Sequence, residues 1–594
     1  MYSSILNTKN LVKYGYYQIP RNKPKKDSYG SLDAIYSPLF NLNEFYKWIE
    51  LELEGIENGP RNLKDVESSL KLHTEAIEFT IAKSEFTRRL YKYPNLYSYV
   101  NLAKYIEIKK EYFSELFIED VNSTSKYFNS GITFNQSKNI EQSNLQIGKK
   151  ILSLDLSNFY HTLYTHSIEW MLHEKSIAKA NRSHKKSDIE SKVTVGKYLD
   201  ILIQNCQYKE THGLPTGTMV SQVISEAYMA KFDQKMRSLG NNYFSRYVDD
   251  FKFAFNSEAE KEKFLVDFHK ICNEHGIFVN SQKTQEYNFD EIEINSKSEI
   301  FKLINDLECT KSNKKLRIAI NNIIDIAVYE QGKGNKGTLK YLFSCLKLIS
   351  KKSGWEKAEK IFFYAANYNP ESIFERLLDL SVKNPEQATR MMYFTNSLKE
   401  HGVSKKTIKK VSKKYFKKNA TAITQQLKFL IFNKYSHELL QLLTFFVEFK
   451  IKFPFPEIDL DVISASDLDD FNLIMLIALY RKSKDYKEDQ LVNLIYNIFE
   501  KVDKVYSENN LKYMTRAHWL LRYYVFYLFK NYEDLKSACD DCLRIQKVKK
   551  NSSDNFQSGI DSGYVFSCSS DKVTVFYKNM LDFDIRLFSK KLIK

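Results

Sequence analysis

The sequence predicts an α+β domain followed by a large all-α half, and three observations carry that prediction. The chain has 594 residues, more than one hydrophobic core serves, so two or three domains are expected. Between about 61 and 300, helical patterns mix with short strand-like runs. From 301 to 594, Pro and Gly become rare and apolar residues recur three or four apart, as amphipathic helices require. Residues 1–60 stand apart as a polar, aromatic segment broken by Pro20, Pro24, Gly30, Pro38 and Pro60.

Composition sets outer limits. Hydrophobic residues at 43% and charged residues at 27% exclude a disordered or fibrous chain. Lys and Arg total 89 against 73 Asp and Glu, a net charge of +16. That excess suits an anionic partner, although a chain rich in Lys, Asn, Tyr, Phe and Ile also follows from an A/T-rich genome. No apolar run approaches the ~20 residues of a membrane span, and the N-terminus lacks a signal-peptide pattern. Seven cysteines are sparse and odd in number, as expected of reduced thiols in a cytoplasm. Cys539 and Cys542 form a lone C-x-x-C without a second pair, which reads as helix-surface cysteines rather than a zinc site.

Four segments carry chemistry. Lys149 to Tyr160 reads as a short apolar strand ending in Asp155, with a helix start at Ser157 or Asn158. Thr211 to Gln222 is a Gly/Pro loop before a helix from Met219 to Ser238; glycines admit close backbone approach and the helix start favours anions. Phe244 to Phe255 places Asp249 and Asp250 where a tight turn falls between two aromatic strands. Phe278 to Thr284 ends in Lys283, which could serve a pyrophosphate as cation or proton donor.

Adjacent carboxylates repel unless a cation neutralises them, and carboxylate oxygens suit Mg²⁺. Asp155 from one strand and Asp249 and Asp250 from a hairpin could together hold two Mg²⁺ ions about 3.5–4 Å apart. Taken singly, each segment has a plain structural account: an Asp-rich turn, a surface Lys, an ordinary loop.

Farther along, helical patterns cover Ile318 to Val328, Tyr341 to Ile349, Ile423 to Phe432, Leu439 to Phe449 and Trp519 to Phe529. Such helix pairs suggest an irregular solenoid, though no fixed repeat period is present. In the tail, alternating Tyr564, Phe566, Val573, Val575 and Tyr577 predict a small hairpin.

In order and spacing the four segments resemble the palm of a reverse transcriptase: Asp155, the G-x-P-x-G-x-x-x-S loop from Gly213 to Ser221, the Tyr-Val-Asp-Asp of Tyr247 to Asp250, and the N-x-x-K-T of Asn280 to Thr284. Leu154 to Trp170, Asn95 to Tyr99 and Ser123 to Phe128 further resemble the abortive-infection reverse transcriptases of bacteria, closest to the AbiK type. The resemblance is sharpest between about 85 and 285. It implies reverse-transcriptase fingers and palm over 61–300 and a HEAT-like helical C-terminal domain over 301–594.

The resemblance also implies an activity: template-independent, protein-primed polymerisation of dNTPs in antiphage defence, leaving single-stranded DNA attached to a tyrosine. Asp155, Asp249 and Asp250, with the Leu156 backbone, would hold two Mg²⁺ ions, or Mn²⁺ in their place. Tyr160, with Phe159, would pack under the sugar and exclude a 2′-hydroxyl; a core aromatic is the competing account. Gly213, Pro215, Thr216 and Gly217 would border the nucleotide, and Lys283 would face the pyrophosphate. Arg88, Arg89 and Lys92 would meet the triphosphate from the fingers, with helix-surface salt bridges the equal alternative. A cytoplasmic homotrimer or homohexamer is also implied.

Templated reverse transcriptases usually carry Gln where this chain has Thr216, and Pro where it has Gln222, which puts templated copying in doubt. Two other readings remain: a templated enzyme using an RNA partner, and a catalytically silent phage-sensing scaffold. For priming, Tyr29 in a polar, Gly-containing segment is the first candidate and Tyr36 the next; an ordinary loop tyrosine is the alternative. Lys405, Lys409, Lys413 and Lys417 fall on one helical stripe, in a run that also holds Lys406, Lys410, Lys414 and Lys418. The stripe would bind product DNA, or form a solvated face.

Overall fold

The computed structural model describes residues 2–13, 37, 39–55, 72–83, 87–128, 132, 134–145, 148–181, 194–288, 312–333, 338–339, 341–343, 345–346, 358–365, 371–400, 402–455, 457–506, 516–531 and 572–593. Strands β1 (Ile77–Ala82) and β2 (Arg88–Tyr93) pair as an antiparallel hairpin. A four-stranded antiparallel sheet follows, built of β3 (Lys150–Asp155), β4 (Phe244–Tyr247), β5 (Asp250–Phe255) and β6 (Gln285–Asn288) in the order β4-β5-β3-β6.

Alternation along β5 sets the two faces of this sheet. Phe251, Phe253 and Phe255 are buried with Leu152 and Leu154 of β3. Side chains two apart share a face, so these five point one way, where the helices Met219–Ser238 and Glu258–His275 cover them. Phe251 packs against Phe268 at 4.9 Å, and Phe253 stacks on Phe264 at 3.9 Å. Full burial of such side chains contributes about 1.5–3 kcal/mol each. The same alternation sends Asp250, Lys252, Asp155 and Ser153 to the opposite face, whose far end is covered where Ile151 and Ala254 pack on Leu145 and Lys252 pairs with Glu141 at 2.6 Å.

Strand β6 was not expected. Its sequence, Gln-Glu-Tyr-Asn, carries no apolar alternation, and it pairs at the sheet edge through β3. Glu286 anchors it through Lys150 and Lys261, each at 3.0 Å.

From residue 312 onward the described elements are helical. Side-chain caps start several helices: Ser372 and Glu375 form a capping box for Ile373–Lys383, and Asp469 caps Asp470–Arg481. The tail corrects the expectation of a hairpin, because Lys572–Asp582 is a helix. Val573, Tyr577 and Met580 are fully buried at spacings of four and three, a helical period that the odd-numbered residues alone had mimicked. Tyr564 and Phe566, like Cys539 and Cys542, lie outside the described residues.

The helical half packs against the first hairpin. Phe79 and Tyr93 meet Phe471 at 5.7 and 5.0 Å, Tyr93 stacks on Trp519 at 5.8 Å, and the Tyr577 hydroxyl donates to Asn95 Oδ1 at 2.8 Å. No helix among the described residues is long and apolar enough to cross a membrane.

Candidate active site

Three carboxylates converge where β3 ends beside the β4–β5 turn. The β3–β5 register sets Asp155 directly opposite Asp250, and the Leu156 N–H donates to Asp249 O at 3.2 Å. Asp249 follows Val248 in the two-residue connection between β4 and β5. Val248 has φ +58°, a costly value for a β-branched residue that a neighbouring framework must hold. Two bonds supply that framework: Val248 N–H donates to Ser125 Oγ at 2.9 Å, and Arg246 Nη1 donates to Val248 O at 3.1 Å.

The electrostatics match a crowded acidic site. Asp250 is pushed up to about 7 by burial, its hydrogen bond to Asp155 and the charge of Asp249. Asp249 is raised by burial and by the charge of Asp155. Burial opposes the Asp155 carboxylate too, yet hydrogen bonds from Lys283, Asp250 and Asn280 offset it and hold Asp155 below its ordinary value. Lys283 Nζ sits 2.8 Å from Asp155 Oδ1, and Asn280 Nδ2 donates to Oδ2 at 3.0 Å. Lys283 was expected to face a pyrophosphate; here it neutralises Asp155. Among the described residues no three His, Cys, Asp or Glu side chains are already arranged as a metal shell. The donor chemistry nevertheless fits a hard divalent cation, since three oxygen ligands share one face and repel.

The Gly/Pro loop docks beside these acids. Gly213 has φ +80°, and a Cβ there would lie 3.1 Å from His161 O, so only glycine fits. Its N–H donates to Leu163 O at 2.9 Å, and Leu214 N–H donates to Tyr160 O at 2.7 Å. Pro215 is buried, its carbonyl accepting from Ser221 Oγ at 2.8 Å, so it shapes the loop instead of lining the cleft. Thr216 and Gly217 are half-buried. Thr216 O accepts from Lys92 N–H at 3.2 Å, joining the loop to β2.

Tyr160 is half-buried, with its hydroxyl 2.8 Å from Ser225 Oγ. Burial raises this phenol far above its usual range, and the Asp249 charge adds to the effect. Phe159 is different: at 2% exposure it packs in the core, 6.0 Å from Tyr228. It is a structural aromatic, contrary to expectation.

The three cations expected to meet the triphosphate, Arg88, Arg89 and Lys92, lie on a strand, not on a helix, and they divide. Arg88 is removed from the site. Its guanidinium makes two bonds to Glu438, at 2.8 and 2.6 Å, and stacks 3.9 Å over Tyr435. Lys92 pairs with Glu210. Arg89 is exposed on the other face of β2, and its charge favours the Asp249 carboxylate. Burial and the charges of Arg89, Lys92 and Lys83 lower His161.

Sequence reasoning missed a buried ionic network beneath the turn. Arg246, with no exposed side-chain surface, bonds Asp233 at 2.7 Å, Glu226 at 2.8 Å and Asp120 at 3.0 Å. Ser125 Oγ donates to Glu226 Oε2 at 2.7 Å. A signal existed: Glu226 and Asp233, seven apart, fall on one face of the Met219–Ser238 helix, and both are buried there.

Tyr29 and Tyr36 lie outside the described residues. The basic run forms the helix Lys405–Lys418, capped by Ser404 and seated on Ile408, Ser412, Tyr415 and Phe416. All eight lysines are exposed. Lys414 and Lys418 pair with Glu375 at 3.5 Å and Glu371 at 2.8 Å. Lys405, Lys409, Lys413 and Lys417 form no ion pair among the described residues.

Residues 113–331 match the sequence profile of the family described as reverse transcriptase (RNA-dependent DNA polymerase). Two solved structures are similar to the chain, both of apo telomerase from Candida tropicalis at 14% identity. One lacks its C-terminal domain; there the match has a TM-score of 0.24 and covers 38% of this chain and 52% of that one. The other has a TM-score of 0.27 and covers 69% of this chain and 76% of that one. The chain thus spans about half the length of the truncated telomerase. No curated protein matches the sequence. A reverse-transcriptase domain, and with it a nucleotidyltransferase of the polymerase kind, is what residues 113–331 indicate.

Proposed function

We propose that this chain is a template-independent, protein-primed DNA polymerase that consumes dNTPs and keeps its single-stranded product attached to one of its own tyrosines. The observation that carries the reading is the β3–β5 register, which sets Asp155 opposite Asp250 with Asp249 at the adjoining turn. Such acids suit a reaction in which a hydroxyl oxygen attacks the α-phosphorus, the α–β phosphoanhydride breaks and pyrophosphate departs. Bound at Asp155, Asp249, Asp250 and the Leu156 backbone, two Mg²⁺ ions, or Mn²⁺, would lower the pKa of the attacking hydroxyl and stabilise the leaving group.

The chain's own residues do the rest. Arg89 holds the triphosphate from the fingers side. Tyr160, tied to Ser225, stands under the sugar and disfavours a 2′-hydroxyl. Lys283 exchanges Asp155 for the departing pyrophosphate. Thr216 and Gln222, which replace the usual Gln and Pro, support synthesis without a template. A tyrosine of the N-terminal 1–60 segment, Tyr29 or Tyr36, supplies the first hydroxyl. The helical domain over 301–594, read as a HEAT-like array, carries the Lys405, Lys409, Lys413 and Lys417 stripe that receives the growing strand. An antiphage role in a cytoplasmic trimer or hexamer completes the reading.

Incubation of the purified protein with dNTPs and Mg²⁺ alone tests it. A shift of the protein band to higher mass, reversed by nuclease, is expected, and mass spectrometry of the digested chain should find a nucleotide on one tyrosine. Dependence on an added RNA template would replace this reading with the templated one. No incorporation under any condition would leave a silent scaffold.

A further inference from the structure

The fingers hairpin is held from outside the reverse-transcriptase domain. The helix Ser436–Phe449 begins against β1: Thr80 Oγ1 donates to Lys434 O at 2.9 Å, and Ser436 N–H donates to Thr80 Oγ1 at 3.2 Å. Glu438, in the first turn of that helix, grips Arg88 of β2 with both oxygens, at 2.8 and 2.6 Å. A bidentate guanidinium–carboxylate pair fixes orientation as well as distance. Tyr435 closes the other side of the same guanidinium at 3.9 Å.

Neighbouring residues of a strand face opposite ways. Whatever clamps Arg88 therefore determines where Arg89 points. Arg89 is exposed on a hairpin that borders the site: Lys83 Nζ donates to Asn158 Oδ1 at 3.4 Å, three residues past Asp155, and Lys92 N–H donates to Thr216 O at 3.2 Å. We propose that Glu438 of the helical half is a positioning residue for nucleotide binding, acting through Arg88 to hold β2 so that Arg89 faces the catalytic carboxylates. This rests on the polymerase reading above and assigns the helical half a part in it: without the clamp, β2 can turn and the incoming triphosphate loses a cation.

The test uses the full chain in four forms: wild type, Glu438→Ala, Arg88→Ala and the double variant. Lys591→Ala, which breaks a Glu448 pair elsewhere in the helical half, serves as control. Two quantities are read: KM and kcat for dNTP incorporation, and equilibrium binding of a fluorescent dNTP in Ca²⁺. Glu438→Ala should raise KM and weaken binding about five- to tenfold, the scale of one lost charge-assisted contact, with kcat changed less than about twofold. The double variant should be no worse than either single one, because both break one coupling. Glu438→Gln, which keeps the acceptor oxygen, should recover part of the loss.

Unchanged KM in Glu438→Ala, even with a lower melting temperature, overturns the proposal and leaves a mere staple between halves. Additive losses in the double variant, or an equal KM rise in Lys591→Ala, overturn it too. A wild-type chain that neither binds nor incorporates dNTPs removes the polymerase reading itself, a result distinct from the others.

Discussion

Replacing Arg246 with Met should expose how strongly the carboxylate network depends on one buried cation. Arg246 bonds three carboxylates within 3.0 Å and has no exposed side-chain surface. The Arg246 charge and its hydrogen bonds keep Glu226 below its ordinary value against the pull of burial, while burial already raises Asp233 well above its own. Met fills similar space but carries no charge. Glu226, stripped of its cation and fully buried, must take up a proton to stay inside.

Protonating a carboxyl of ordinary pKa ~4.3 at pH 7 costs about 1.36 × 2.7, or about 3.7 kcal/mol. That agrees with the ~3–5 kcal/mol of breaking a buried pair. The sign with pH follows. In the variant, the folded Glu226 has a pKa above its unfolded value, so its folded state binds a proton that the unfolded chain releases. The deficit is therefore small near pH 4.5 and grows by about 1.4 kcal/mol per unit as pH rises toward 7.

Thermal melting of wild type and Arg246→Met at pH 5 and pH 7 measures this. At ~2–4 °C per kcal/mol for a unit of this size, the melting temperature should fall by about 10 °C at pH 7 and by only ~3 °C at pH 5. Equal drops at both pH values, or a drop under about 2 °C at pH 7, would refute the reasoning. Loss of the bond to Val248 O should also cut incorporation at temperatures where the variant is still folded.

Asp250→Asn should abolish incorporation yet raise the melting temperature slightly, since it removes a like charge from beside Asp155 and Asp249; incorporation rates and melting curves check both signs. Because Asp250 is pushed up to about 7, a divalent cation must displace its proton below that pH. Apparent Mg²⁺ affinity, followed by calorimetry, should rise up to about tenfold per unit from pH 5 to 7 and flatten above. Changing Lys405, Lys409, Lys413 and Lys417 together to Gln should relieve like-charge crowding and slightly stabilise the helix. In a filter-binding salt titration the same variant should lower the slope for single-stranded DNA by about 0.7 per lost contact, near 2.8 for all four.

The order of motifs, the Met219–Ser238 helix, the two-strand hairpin bearing Asp249 and Asp250, and the strand ending at Asp155 were all legible in the sequence. Each depends on interactions a few residues long: alternation, turn chemistry, a Thr218 cap. Local rules also explain one error. Val573 and Tyr577 fit both a period of two and a helical turn, and only packing around Met580 decided between them.

Tertiary structure decided the partners. Nothing near Arg88 in the chain indicates that Glu438, 350 residues later, would take it and leave Arg89 to the site. Only the fold shows Arg246 buried among Asp120, Glu226 and Asp233, acids 126, 20 and 13 residues upstream of it. For Lys283 the sequence offered a pyrophosphate contact or a surface position; the 3-10 turn Ser281–Lys283 instead brings it back to Asp155 at the end of β3. The physical reason is the range of the forces involved: backbone preference and amphipathic period act along the chain, whereas ion pairing and burial depend on which surfaces the finished fold presses together.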